Sequence, residues 1–495
     1  MAKQAQVCFH STPRIRAPLY LFHGVMGGSL GLYWNIYGAI LFETLSASMG
    51  GKDTEFWGLS PLRWTALIFV LGLALEMVFE IVTGVFADGL GRKFCIVSSL
   101  ILRALFFVVL IWLSQLNAAA TPLVIVVGLL AVAIFAVHYT LQSGSFDAWL
   151  ADSLDEQAGV QPGQKLTNEE EDQRAELLAS LHFEGEICYD ACQLLGTLAG
   201  VYLYFVLELP MVAFVCGCAV SFFAAGSCGL YMRENRGLGF ARMKDMMSRQ
   251  GGQVTRQMWK MIWVAGGRFA RNIRLWAAVG VLAAATSLVY VVGYVWILFS
   301  KERFPDEFKK YWVVFVAVFI MSSLLGSLAT SWWLRRHKYG YVTLVWLTFG
   351  LNLAFALPVV VAWQMIPGAS GPVPGGPFLF LALMAAHSFF AGPTRATGKA
   401  LRNALIPPGD ELRATILSWG EAVKNLVIFV LVVVGVGADP GSLRSWVWPA
   451  LAAIGASFVM VVVLLRGRHT VAELTPANGL TTSTAPSAPH SSAAE

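Results

Sequence analysis

The feature that most constrains this chain is a recurring apolar run about as long as a bilayer is thick. Such runs lie at about 30–47, 61–87, 94–116, 122–150, 187–207, 210–232, 275–299, 311–334, 340–364, 377–400, 412–436 and 446–465. Most approach or exceed the roughly 20 residues with which an α-helix crosses the hydrocarbon core. A shorter run at 20–26 merges with the first into one long helix with a glycine-rich start (Gly24, Gly27, Gly28, Gly31). The chain reads as an all-α polytopic membrane protein with twelve transmembrane helices. Composition agrees, because only 13% of its 495 residues are charged, against about a quarter in a soluble protein.

The first residues, MAKQAQVCFHSTPRIRAP, are polar and basic and lead straight into a full span, so no cleavable signal peptide is expected. With an even number of spans, most of the 35 Lys and Arg residues fall on the side of the two termini. Lys52, Arg63, Lys301, Arg303, Lys309, Lys310 and Arg444 fall in the opposite loops, and Arg103 and Lys424 lie within spans. The positive-inside bias places both termini in the cytoplasm of a cell membrane, inner or plasma. The net charge of +5 therefore calls for no nucleic-acid partner. Cys188 and Cys192 lie one turn apart in an apolar helix and read as buried thiols, not as a metal site or a disulfide. No cofactor and no metal are expected.

The spans divide into an N-terminal bundle (1–232), a basic linker (233–274), a C-terminal bundle (275–469) and a tail (470–495) rich in Thr, Ser, Ala and Pro that reads as disordered. In the linker, Met258, Trp259, Met261, Ile262, Trp263 and Phe269 alternate with basic residues. That pattern predicts an amphipathic helix on the anionic inner leaflet. A second inside loop, about 151–186, is acidic, and Thr167 with Glu170 predicts a capping box opening a short, solvated helix through Leu181. The halves repeat faintly. His138 and Asp147 near the end of the fourth span match His387 and Arg395 of the tenth, and Gly84 and Lys93 match Gly326 and Arg335.

Between the second and third spans stands GVFADGLGRK. It resembles the signature loop of the major facilitator superfamily, G-x-x-x-D-(R/K)-x-G-R-(R/K), at Gly84, Asp88, Gly91, Arg92 and Lys93. It departs at Gly89, where the family usually has a basic residue. The longer FEIVTGVFADGLGRK, with Glu80 and with Val82 in place of the usual proline, looks like a bacterial form of this motif. SGSFDAWLADSL (143–154) and LRATILS (412–418) look like the same branch. The resemblance implies two pseudo-symmetric six-helix bundles around a central site, alternating access, and a monomer. It also implies that Asp88 meets the N-terminus of the eleventh span near Arg413–Thr415 and holds the inner side shut. The arginine and Gln-Gly pair usual in the fourth span of drug–proton antiporters are missing from HYTLQSGSF.

Charged groups within spans are costly and mark function. Glu76 and Glu80 share a face of the second span. Arg103 lies at the depth of Glu76, and two readings stand: a static Glu76–Arg103 pair, or a glutamate that takes up a proton. His138 and His387 are candidates for contact with substrate or proton. Asp147 and Arg395 lie at matched inner ends, and two readings stand: each faces the cytosol, or in an outward-facing state they pair across the halves as a cytoplasmic gate. Glu421 and Lys424, three residues apart in the eleventh span, are expected to neutralise each other. The chain carries no nucleotide-binding loop and nothing resembling a catalytic triad, so no enzyme is expected. The expected function is secondary active transport of a small organic solute, coupled to protons through Glu76, Glu80, His138 or His387. Efflux is preferred because the candidate cavity helices look aromatic and sparsely charged. The alternatives are uptake of a polar or anionic solute and a non-transporting sensor or assembly protein.

Overall fold

A computed structural model of the chain describes residues 9–116, 119–161, 164–234, 256–280, 282–283, 286, 308–336 and 376–438. Eleven helices carry these residues: α1 (Pro13–Ser48), α2 (Pro61–Leu90), α3 (Arg92–Leu113), α4 (Thr121–Gln157), α5 (Asn168–Val201), α6 (Pro210–Tyr231), α7 (256–271), α8 (273–280), α9 (Phe308–Arg336), α10 (Gly376–Ala404) and α11 (Arg413–Ala438). Six are long and apolar enough to cross a membrane by themselves: α1, α2, α3, α4, α6 and the Val316–Trp333 part of α9. The chain is a multi-pass membrane protein. The expected ninth and twelfth spans, most of the seventh, linker residues 235–255 and the tail lie outside the described residues.

Helices in lipid gain nothing from hiding apolar surface from one another, so close packing has to hold them together. The α1–α5 seam shows how this sequence achieves it. A Cβ on Gly27 would stand 2.1 Å from the Tyr189 carbonyl oxygen, and one on Gly196 would stand 2.0 Å from that of Gly28. The two backbones therefore touch only because these positions lack side chains. On the other flank of α1, Tyr33, Ile36, Phe106, Phe107 and Phe214 fill an apolar core shared with α3, α4 and α6. Tyr33 meets Phe106 edge to face at 5.0 Å.

Two expectations about the acidic 151–186 stretch are corrected. It is mostly helix: α4 continues to Gln157 and α5 runs unbroken from Asn168 to Val201. The capping box opens α5, with Glu170 N donating to Thr167 Oγ1 (3.3 Å) and Thr167 N donating to the Glu170 carboxylate (2.9 Å). The helix does not stop at Leu181, because Glu184, Glu186 and Asp190, which interrupt the apolar pattern, each find a cationic partner. Its start is solvated on one face, at Asn168, Glu169, Asp172 and Glu176, and buried on the other. Leu178 packs on Ala151 and Leu154, and Arg174 is bound to Asp155 at 2.5 and 2.9 Å. Thr167→Ala is expected to cost about 1 kcal/mol locally and to speed amide exchange at Glu169–Glu171 without lowering the global melting temperature. Unchanged exchange there would mean that packing on α4, rather than the cap, holds this turn.

Within the linker, α7 lies against α11 and leads into α8 through a single residue. Asn272 Oδ1 accepts from Arg274 N (3.1 Å) and Leu275 N (3.2 Å) and so caps α8. Ala265 and Phe269 are buried beside Leu275 and Leu417, while Trp259 and Trp263 stay exposed.

Candidate functional site

Helices α1–α6 and α8–α11 meet along three seams: α2 and α4 against α11, α5 against α9 and α10, and a smaller one of α4 against α10. Buried charge concentrates there in three clusters.

The first cluster is built on the α2–α3 turn. Gly91, at φ 127°, lets α2 end and α3 begin one residue apart, a conformation that a side chain would strain. Asp88 is thereby presented to the start of α11. Its carboxylate accepts from Ala414 N (3.2 Å), Thr415 N (2.8 Å) and Thr415 Oγ1 (2.7 Å). An acid at a helix N-terminus is favoured because the free N–H groups there carry partial positive charge. Arg92 joins Asp88 (3.3 Å) to Asp152 and donates to the Ala148 carbonyl (2.9 Å). Arg413 reaches Asp152 (3.1 Å) and Asp155 (3.4 Å) from the other helix group. Arg174 completes the set on Asp155. Asp88, Asp152 and Asp155 thus face Arg92, Arg174 and Arg413, a balanced clamp. The Lys93 backbone N–H donates to Glu234 at 3.3 Å, and a Cβ on Gly89 would meet nothing. Beside the clamp, a Cβ on Gly84 would stand 2.7 Å from the Ser418 side chain and 2.9 Å from Thr415 Cα, so α2 and α11 meet almost backbone to backbone.

Asp88→Asn keeps the shape but removes the charge. The charge–helix term is about 1–2 kcal/mol when partly buried, so the open population should rise roughly tenfold. The readout is maleimide labelling of Ser418→Cys, a position 1% exposed in the closed form, in a background lacking the native cysteines. An unchanged labelling rate would remove Asp88 from the clamp.

The second cluster, further along the α2–α11 and α4–α10 contacts, is not balanced. Arg402 of α10 pairs with Asp147 of α4 (3.7 Å) and with Glu421 of α11, and Lys424 also pairs with Glu421. Lys424 lies 5.9 Å from the centre of the Tyr139 ring. Glu80 is fully buried. One of its oxygens accepts from Ser143 Oγ (2.7 Å), and the other has no hydrogen-bond partner among the described residues. Glu76, 6% exposed, forms no hydrogen bond or ion pair among the described residues and lies within electrostatic range of Lys424 and Glu421. Among the described residues, Glu76, Glu80, Asp147 and Glu421 therefore share the cations Arg402 and Lys424, with Lys399 of the next cluster within electrostatic range of Asp147.

The third cluster joins α5 to α9 and α10 and is balanced again. Arg395 binds Glu186 (3.2 Å) and Asp190 (3.0 Å), and Lys399 binds Glu186 (2.8 Å). Ser323 of α9 donates to Asp190 (2.7 Å) and accepts from Arg395 (3.2 Å).

Two pairings that the sequence left open do not form in this structure. Asp147 meets Arg402, not Arg395. These arginines are seven residues, or two turns, apart on one face of α10, so α10 sits two turns away from the register that matched helix ends suggested. Arg395 turns instead to the acids of α5. Glu76 and Arg103 are likewise separate. Arg103 faces α1, donating to the Met26 carbonyl (3.0 Å), contacting His138 Nε2 (3.3 Å) and lying 5.7 Å from the Tyr33 ring centre. His138 Nδ1 lies 2.9 Å from the Ser99 carbonyl, so this histidine is packed between α3 and α4. His387 is buried in α10. The Glu421–Lys424 pair forms, with Arg402 added.

Sequence reasoning gave no ion-pair role to Glu186, Asp190, Lys399 and Arg402, nor to Asp152, Asp155, Arg174 and Arg413. A signal existed: Glu186 with Asp190, and Arg395 with Lys399, are i,i+4 pairs of like charge, each set on one helix face. Each pair marks a face that needs the other.

No protein-family model and no curated protein matches this sequence. Solved structures do match. A bacterial homologue of the iron transporter ferroportin, outward-facing with soaked iron, is 13% identical at a TM-score of 0.59, over 91% of this chain and 98% of that one. The human organic anion transporter MFSD10 (TETRAN) is 15% identical at a TM-score of 0.56, over 90% of this chain and 100% of that one. The major facilitator proton:xylose symporter XylE, bound to 6-bromo-6-deoxy-D-glucose, is 13% identical at a TM-score of 0.61, over 92% and 95%. The chain has the major facilitator fold, all-α and polytopic, in which twelve helices form two six-helix bundles.

Proposed function

We propose that this protein is a secondary transporter that moves a small organic solute by alternating access, with protons as the coupling ion. The observation that carries the reading is the second cluster, where, among the described residues, four buried carboxylates share two ion-paired cations across the seam between the bundles, the nearby Lys399 being paired with Glu186. Uncompensated charge inside a membrane protein costs several kcal/mol per ion, and a proton is the smallest counter-charge that can fill the deficit. The balanced clusters need none, since their ion pairs can break and re-form as the bundles rock. The unbalanced one gains or loses protons as its cations move away, which ties proton movement to the conformational change.

In this reading the clamped end faces the cytoplasm, on the side of the basic linker, and the central region is closed to that side. A monomer suffices, since both faces of each seam come from one chain. The cargoes of the three similar structures differ, so they select none for this protein. Arg103, Arg395 and Lys424, the cations that an anionic solute would need, are each engaged with protein groups. That favours a neutral or cationic solute. Efflux loses its sequence argument, because the seam is richly charged, and the sign of the proton flux decides the direction.

The test is proton flux in proteoliposomes on adding neutral, cationic and anionic solutes to the wild-type protein. A flux that needs a solute and saturates with it supports the proposal. Folded protein that binds a solute yet moves it without any proton flux would overturn the coupling. Folded protein whose clamp never opens would favour a sensor or assembly role.

A further inference from the structure

Helix α7 is the one described element whose exposed face is ordered by chemistry and not used by the clusters above. Its inner face carries Ala265 and Phe269, packed toward α8 and α11. At 3.6 residues per turn the outer face divides in two. One edge carries Trp259 and Trp263, which are 59% and 74% exposed. The adjoining edge carries Arg256, Lys260 and Arg271, all exposed and without ion-pair partners among the described residues. An aromatic edge beside a cationic edge matches the boundary between acyl chains and headgroups, where indole rings settle and ammonium or guanidinium groups reach phosphates. The position fits as well. Only Asn272 separates α7 from α8, so the end of α7 must lie where α8 enters the bilayer.

The helix is also tied to the clamp. Trp419 of α11 donates through Nε1 to the Ile262 carbonyl (3.2 Å), and its ring would stand 2.9 Å from a Cβ on Gly266. Arg268 binds Asp410, in the connection just before α11, at 2.9 and 3.0 Å. About two turns of α7 thus grip the start of α11, whose first N–H groups bind Asp88.

We propose that α7 is a binding surface for anionic phospholipid, and that its occupancy stabilises the closed clamp by holding the start of α11 in place. The proposal rests on the reading that the clamped end faces the cytoplasm, where the leaflet is anionic. A cytosolic protein is the less suitable occupant, because exposed tryptophans at the level of the bilayer would need to leave it.

The experiment uses the full chain in nanodiscs of phosphatidylcholine, with or without phosphatidylglycerol. Spin labels on Gly89→Cys and Glu411→Cys span the clamp, and both sites have room for a label. Phosphatidylglycerol is expected to raise the short-distance population several-fold. The Arg256→Gln/Lys260→Gln/Arg271→Gln variant should lose that response while matching wild type in neutral lipid. Separately, brominated phosphatidylcholine should quench a fluorescence component that Trp259→Phe/Trp263→Phe removes. Equal distances in both lipids, a response that survives in the triple variant, or no quenching of these tryptophans would each overturn the proposal. A clamp that opens with protons or solute but ignores the lipid would overturn it while leaving the transporter reading intact.

Discussion

Arg402→Ala should nearly abolish the closed form of the protein. Arg402 is 1% exposed and holds Asp147 of one bundle and Glu421 of the other. Its removal leaves Asp147 without its ion-pair partner and Glu421 with Lys424 only among the described residues. Removing one partner of a buried ion pair costs about 3–5 kcal/mol, because the other charge is left stranded. Spread over a two-state equilibrium, that is a shift of more than a hundredfold toward open or unfolded protein. Labelling of Ser418→Cys reads the opening, and the melting temperature in detergent reads the loss of fold. Adding Asp147→Asn to Arg402→Ala removes the carboxylate that loses its ion pair, while Glu421 keeps Lys424, and should recover most of the closed population. If the double variant is as open as the single one, Arg402 acts through packing and the electrostatic account of this cluster fails.

Glu80→Gln should separate solute movement from proton movement. The amide keeps an oxygen for the Ser143 hydroxyl, so the seam should close as before. One coupled proton supports about tenfold accumulation per unit of pH difference, since each unit stores about 1.4 kcal/mol per proton. Wild-type proteoliposomes should therefore accumulate or expel solute against its gradient when a pH difference is imposed. The variant should only equilibrate it, while exchange of solute for solute continues. Uphill transport at the wild-type level in Glu80→Gln would show that the proton binds elsewhere, with Glu76 the next group to replace.

Much of the fold was open to reading because a lipid environment writes its demands in bulk: a helix that crosses must be about 20 residues long and mostly apolar. The Asp88 contact was legible through a resemblance: Gly84, Asp88, Gly91, Arg92 and Lys93 match a known signature that implies a meeting with the start of the eleventh span. The partners across the seams were not. Which residue of α4 meets which residue of α10 depends on the axial register of two helices more than two hundred residues apart, and a shift of two turns exchanged Arg395 for Arg402 opposite Asp147. Glu186 and Asp190 were hidden for another reason. Acids in a segment suggest water, yet these two are buried against Arg395 and Lys399, so the charge that ended the apolar pattern is what attaches α5 to α10. The break assigned at Leu181 followed from that. Where the sequence suggested a sparsely charged cavity, the seam between the bundles holds most of the buried charge.

The central claim is that protons balance the surplus carboxylates of the second cluster. Its most direct measurement needs no solute: the infrared carbonyl band of protonated carboxylic acids, recorded in lipid as pH is stepped through neutrality. The account predicts a titrating band in wild type that disappears in Glu76→Gln/Glu80→Gln and survives in Glu186→Gln. A wild-type protein without the band, or a band untouched in the double variant, would contradict it.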